Sequence, residues 1–130
     1  MILDEWKALP DLLEQFAGER ETVHHIVEAN LVASNLILAA LGADEPRYEW
    51  SWMVPDEKWM KRLGYAQIDV APAIALLRAL TTHIAALLDE EKMSRRLRFV
   101  GSDDVKTIEE ILRDEVEHAR EHLGRVSPRA

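Results

Sequence analysis

The chain has 130 residues, the usual size of one domain with one hydrophobic core, so a single domain over residues 1–130 is expected. Its 48% hydrophobic residues, with five glycines and five prolines, favour a packed helical protein. The net charge of −8 argues against binding to nucleic-acid phosphates, and the lack of cysteine excludes disulfides, thiolate metal ligands and a cysteine nucleophile. Any metal site must therefore use nitrogen and oxygen ligands.

The first half of the chain predicts two helices. Apolar residues at spacings of three and four indicate one helix over about Leu3 to Phe16, in which Pro10 either causes a bend or marks the true start. After a break at Gly18, a second helix is expected from about Glu19 to Leu41, with Gly42 following it. Its apolar stretch is too short and interrupted for a membrane span, so it predicts a core helix. The N-terminus has acidic residues and no basic flank, which predicts no signal peptide and a cytoplasmic protein.

A long connection rich in aromatic residues follows, over residues 43 to 68. A short helix is expected within it, from about residue 55 to residue 63. Connections this long are uncommon in compact domains, and the bulky aromatic side chains argue against disorder. The segment therefore predicts a cover over one end of a bundle, with Trp52 and Trp59 as candidates to line a pocket. Aromatic residues in a cover belong more often to the core, so that alternative stays open.

Two further helices are predicted in the second half. Asp69 can cap a third helix of about Val70 to Lys92. Thr107 and Glu110 match a capping box, which opens a fourth helix that ends near Gly124. Four helices, one long crossover between the second and third, and no strand signal describe an all-α protein, an irregular four-helix bundle.

Three histidines on predicted inward faces indicate a metal site. His118 and His122 are four residues apart on the fourth helix, so both imidazoles can bind one ion. His25 shares a face of the second helix with apolar residues, whereas His24 lies about 100° around that helix. Three neutral imidazoles leave positions open for water or substrate, as in catalytic zinc-type sites. On the residues alone, His24 and His25 are nearly equal candidates for the third ligand. For His118 and His122, the alternative is that they are two partly exposed histidines on a charged helix without a metal.

Four stretches of the sequence resemble one known family: ETVHHIVEANLVASNLILAALGADEP, PDEKW, IALLRALTTHIAALL and TIEEILRDEVEHAREHLGRV. Together they resemble the DinB-like superfamily, in particular its YfiT-type metal-dependent hydrolases, over roughly residues 17 to 126. The resemblance implies a four-helix bundle with an up-down-down-up course and a metal held by His25, His118 and His122. It also implies zinc or nickel as the metal, with iron and manganese still open.

Two classes of function follow from this resemblance. The first is a metal-dependent hydrolase, or a transferase that uses a low-molecular-weight thiol such as bacillithiol, mycothiol or glutathione, in which the ion activates water or the substrate thiol. Glu115 and Glu28 each lie one helical turn from a predicted ligand and are the carboxylates available to orient that ligand or move a proton; Glu28 is also a pocket candidate. The alternative is a non-catalytic binding or stress-associated protein in which the metal ties helices together.

A ferritin-like di-iron site is a third interpretation, raised by the Glu-x-x-His spacings that begin at Glu21 and Glu115. It requires a carboxylate from the third helix, which has none between Asp69 and Asp89. The expected partners are a small-molecule substrate and a second copy of the chain, because the first helix looks too short to cover the bundle alone. Neither nucleic acid nor a membrane is expected as a partner.

Overall fold

Helices form most of the structure, a computed structural model that describes residues 1–49 and 53–127. The helices are α1 (Ile2–Lys7), α2 (Leu9–Glu14), α3 (Arg20–Gly42), α4 (Glu57–Leu63), α5 (Ala71–Leu87) and α6 (Ile108–Leu123). Two short 3₁₀ turns lie at Tyr65–Gln67 and Lys92–Ser94. The prediction of a mostly helical protein is confirmed at this level.

A small three-stranded sheet accompanies the helices, so the prediction of no strands is wrong. Its strands are β1 (Arg47–Tyr48), β2 (Arg96–Phe99) and β3 (Val105–Thr107), in the order β1-β2-β3. β1 pairs with β2 in parallel, and β2 pairs with β3 antiparallel across a turn in which Gly101 has a φ of 85°. Strands of two to four residues carry too little alternation to be recognised in a sequence. Only in β2 do exposed and buried residues alternate over four positions.

Helix boundaries differ from the prediction at three places. The expected first helix is two helices, because Pro10 has no N–H to donate and stands in the first turn of α2, where none is needed. The third predicted helix ends at Leu87 rather than Lys92, since the chain becomes extended at Leu88. Gly42 is the last residue of α3 and not the residue after it. The capping box of Thr107 and Glu110 is present as predicted and opens α6.

The core joins the helices through α3, which packs against both α5 and α6. Helix α1 packs against α6 and α5, and α2 packs against α5. At the centre, Trp6 is fully buried and its indole Nε1 donates to Asn30 Oδ1 at 2.7 Å. This packing holds α3 and α6 side by side, and these two helices carry the histidines of the predicted metal site.

Helix α3 is long and apolar enough to cross a membrane, and just over half of its apolar stretch is buried in the structure. This is weak support for a membrane span, because the buried core helix of a soluble protein has the same length and composition.

Candidate metal centre

Three imidazoles meet between α3 and α6: His25, His118 and His122. One ring nitrogen from each lies within 4.8 Å of the other two, and His25 Nε2 is 3.2 Å from His118 Nε2. Two imidazoles bound at ~2.0 to 2.1 Å to one tetrahedral ion bring their nitrogens about 3.3 Å apart. The donor set and its spacing therefore fit a single divalent ion.

The ring of His25 is oriented by a backbone carbonyl. His25 Nδ1 donates to the Pro55 carbonyl oxygen at 2.8 Å. Because a carbonyl only accepts hydrogen bonds, the proton of this imidazole is on Nδ1, which leaves the lone pair on Nε2 facing His118. Metal-binding histidines are commonly held in the same way by a carbonyl or carboxylate behind the ring.

His24 is held away from the cluster by other contacts. Its Nε2 donates to the Ile68 carbonyl oxygen at 3.1 Å, and its ring stacks on Tyr65 with centroids 4.1 Å apart. Only 4% of its surface is exposed. Of the two adjacent histidines, the structure thus places His25 in the cluster and gives His24 a packing role.

Burial keeps the α6 histidines neutral. Desolvation, reinforced by the neighbouring His122 and His25, lowers the pKa of His118 from 6.5 to about 4. Burial first, and His25 second, also lower the pKa of His122. Neutral imidazole is the form that binds metal, so both rings are ready to act as ligands at pH 7.

Glu115 lies one turn before His118 and lines the same cleft as His118 and His25. Burial first and Asp114 second raise the pKa of this carboxyl from 4.5 to about 7, and Lys106 opposes the shift. Its Oε1 atom is buried without a hydrogen-bond partner, and so is Nδ1 of His118. A carboxyl whose pKa lies near neutrality can both accept and release a proton at that pH.

The raised pKa of Glu115 predicts a pH-dependent effect of Glu115→Gln on the metal-free protein. Since the folded pKa of about 7 exceeds the ordinary 4.5, this carboxyl contributes stability below pH 4.5 that is lost as the pH rises to 7. Glutamine does not ionise. We therefore expect the change that Glu115→Gln makes in the free energy of unfolding to be about 1 to 2 kcal/mol more favourable at pH 8 than at pH 5.

Urea unfolding at the two pH values measures this difference. Glu117→Gln is the matched control, because Glu117 is exposed on the same helix. The contribution of His118 cancels because it is present in both proteins. Equal effects of Glu115→Gln at pH 5 and pH 8 would contradict a raised pKa.

The two described pocket candidates bond to each other. Trp59 Nε1 donates to Glu28 Oε2 at 2.8 Å, and the Tyr65 hydroxyl donates to Glu28 Oε1 in a short hydrogen bond. Glu28 is only 5% exposed, and burial followed by the bond to Glu28 raises the pKa of Tyr65 to about 12. These bonds tie α4 and the following 3₁₀ turn to α3. Trp52, the third pocket candidate, lies outside the described residues.

Within the described part of the chain, no carboxylate joins the three histidines in a metal-binding group, as a di-iron site would require. Sequence reasoning did not find that the Pro55 carbonyl orients His25, or that the Tyr65 ring stacks on His24 outside the site. A backbone carbonyl leaves no signal in a sequence. The aromatic content of residues 43 to 68 was the only indication in the sequence that described residues of this segment, such as Pro55 and Tyr65, contact His25 and His24.

Comparisons of this chain with protein-family models, with curated proteins and with solved structures gave no match. The resemblance to the DinB-like superfamily is therefore carried by the quoted sequence stretches alone and stays a prediction.

Proposed function

We propose that the protein binds one divalent metal ion through His25, His118 and His122 and acts as a metal-dependent enzyme, a hydrolase or a thiol transferase. The observation that carries the proposal is the convergence of these three ring nitrogens within 4.8 Å of one another. Two partly exposed histidines on α6 without a metal would not explain why a third imidazole, 93 residues away from His118 in the sequence, faces them.

The helix arrangement supports a DinB-like bundle. If the broken α1–α2 segment counts as one helix, then it, α3, α5 and α6 make four, and their packing contacts link all four. The long connection between α3 and α5 also agrees with the resemblance. We propose the up-down-down-up course on this basis, and we propose zinc or nickel because imidazole suits both metals.

A bound divalent ion would supply Lewis-acid chemistry, lowering the pKa of a water molecule or of a substrate thiol. The residues of the chain orient the ligands and hold protons. Pro55 holds the His25 ring by its Nδ1 proton. Glu115 Oε1 is buried without a hydrogen-bond partner one turn from His118, so this carboxyl is available to hold a proton near the substrate. Since the chain has no cysteine, any thiol must arrive with the substrate.

One observation favours the alternative of a non-catalytic, metal-stabilised protein. Trp59 bonds to buried Glu28, so this part of the cover stabilises the fold and does not line the cleft beside His25. The enzyme proposal instead has the support of Glu115, because a buried carboxyl with a raised pKa beside two of the three histidines in a cleft is typical of functional sites.

Metal content measured by plasma mass spectrometry on tag-free protein tests the proposal. We expect about one equivalent of metal in the native chain and none in the His25→Ala, His118→Ala, His122→Ala triple variant. His83→Ala is the control, because His83 is exposed on α5, and this variant should keep its metal. If the native protein holds no metal even after reconstitution with zinc or nickel, the metal site and the enzyme proposal both fail.

A further inference from the structure

A cleft of about 620 Å³ opens beside His25 and His118. We infer that this cleft binds the substrate's tail, and that the substrate is a small molecule with a metal-binding head group and a slender, uncharged apolar tail. The inference rests on the proposed function, since it places the head group at the three-histidine cluster. The volume lies within the range of small-molecule sites, about 300 to 1,000 Å³.

The wall of the cleft on α3 is apolar and continues directly from His25. Its residues are Ala29, Val32, Ala33 and Leu36, which follow His25 on one face of the helix. The wall extends about 16 Å along the helix axis from His25 to Leu36. Val54 and Pro55 form an apolar rim above it, and Pro55 also holds the His25 ring. A ligand whose head reaches the imidazoles therefore has an apolar path for its tail.

Small side chains keep the cleft open along this path. Ala29 is one turn beyond His25, and Ala33 is one turn beyond Ala29. Any larger side chain at Ala29 would project into the space between the histidines and the far end of the wall. An unbranched chain can follow this face of the helix from the histidines to Leu36.

The charges of the cleft disfavour an anionic tail. Among the described lining residues, the one cation is Lys106, and it forms an ion pair with Asp114. Asp56 and Glu115 line the cleft as well, and Asp56 accepts the Trp59 backbone N–H as the cap of α4. A tail ending in a carboxylate or phosphate would meet carboxylates and no free cation, whereas an uncharged tail would lose nothing.

Binding of a homologous series of n-alkyl hydroxamates, from acetohydroxamate to octanohydroxamate, tests the inference on zinc-loaded protein by calorimetry. The hydroxamate group chelates the metal, and the alkyl chain reports on the cleft. We expect the Kd to fall about two- to fourfold per added methylene until the cleft is filled. A hydroxamate of equal length that ends in a carboxylate should bind at least tenfold more weakly than its alkyl counterpart.

Two variants test whether the tail binds in this cleft. Ala29→Leu should remove most of the gain that longer chains show over the affinity of the same variant for acetohydroxamate. Val54→Ser should reduce that gain, and it is a safe second variant because Val54 is 48% exposed. The control is Ala79→Leu, in a separate groove of about 720 Å³ that contains none of the three ligands, and it should leave the whole series unchanged.

The outcomes separate this inference from the proposed function. Suppose that acetohydroxamate binds the zinc protein but longer chains bind no more tightly, or that they gain as much affinity in Ala29→Leu and Val54→Ser as in the native protein. In either case the metal site stands and the apolar-tail inference is wrong. Tighter binding of the carboxylate-ended probe would also overturn it. If neither zinc nor acetohydroxamate binds, the proposed function fails and the inference fails with it.

Discussion

Zinc at a thousandfold excess over its Kd is expected to raise the free energy of unfolding of the metal-free protein by about 4 kcal/mol. The cluster exists only in the folded chain, because His25 and His118 are 93 residues apart in sequence. An ion that binds the folded state far better than the unfolded state stabilises it by mass action. Urea or thermal unfolding with and without zinc measures the effect.

Several controls make this result specific. The triple His25→Ala, His118→Ala, His122→Ala variant should gain no stability from zinc, whereas His83→Ala should gain as much as the native chain. Magnesium should have no effect, because it prefers oxygen ligands. An equal gain in the triple variant would show that zinc binds elsewhere, and it would remove the thermodynamic support for the three-histidine site.

The parts of the site that depend on one helix could be predicted from the sequence. The pairing of His118 with His122 follows from their spacing on α6, and the capping box of Thr107 and Glu110 located the start of that helix. The choice of His25 over His24 rested on the apolar face of α3 and on the resemblance. The structure places His25 with the α6 pair.

The parts that depend on distant contacts could not be predicted. The Pro55 carbonyl reaches His25 across 30 residues, and Trp59 reaches Glu28 across 31. Neither contact has a periodic pattern in the sequence, since the described residues between β1 and position 68 contain only one short helix and a 3₁₀ turn. Glu28 was named for its place on α3, and only the fold shows that Trp59 and Tyr65 occupy both of its oxygens. The small sheet was missed for the same reason, because β1 pairs with a strand about 50 residues away.

A second copy of the chain was predicted because the first helix is short for covering the bundle alone, so how α1 packs within one chain bears on that prediction. Trp6 on α1 is 0% exposed within the single chain and bonds to Asn30, which is itself fully buried on α3. Asn30 Nδ2 in turn donates to the Ile26 carbonyl oxygen at 2.8 Å. These contacts indicate that a single chain is enough to bury Trp6, the central side chain of α1.

Trp6→Ala is therefore expected to lower the free energy of unfolding by about 3 to 5 kcal/mol, because it leaves a large cavity and an unpaired Asn30 Oδ1. Trp6→Phe keeps most of the packing but loses the hydrogen bond, so its expected loss is about 1 to 3 kcal/mol. Leu38→Ala, at a site that is 40% exposed on α3, should change stability by less than about 0.5 kcal/mol.

Urea unfolding followed by circular dichroism gives all three values, and light scattering on the native chain gives the oligomeric state. A loss below about 1 kcal/mol for Trp6→Ala would show that α1 is not part of the core, and a concentration-dependent loss would instead support the predicted homodimer. Since α1 also packs on α6, which carries His118 and His122, a folded Trp6→Ala protein should bind zinc more weakly than Trp6→Phe.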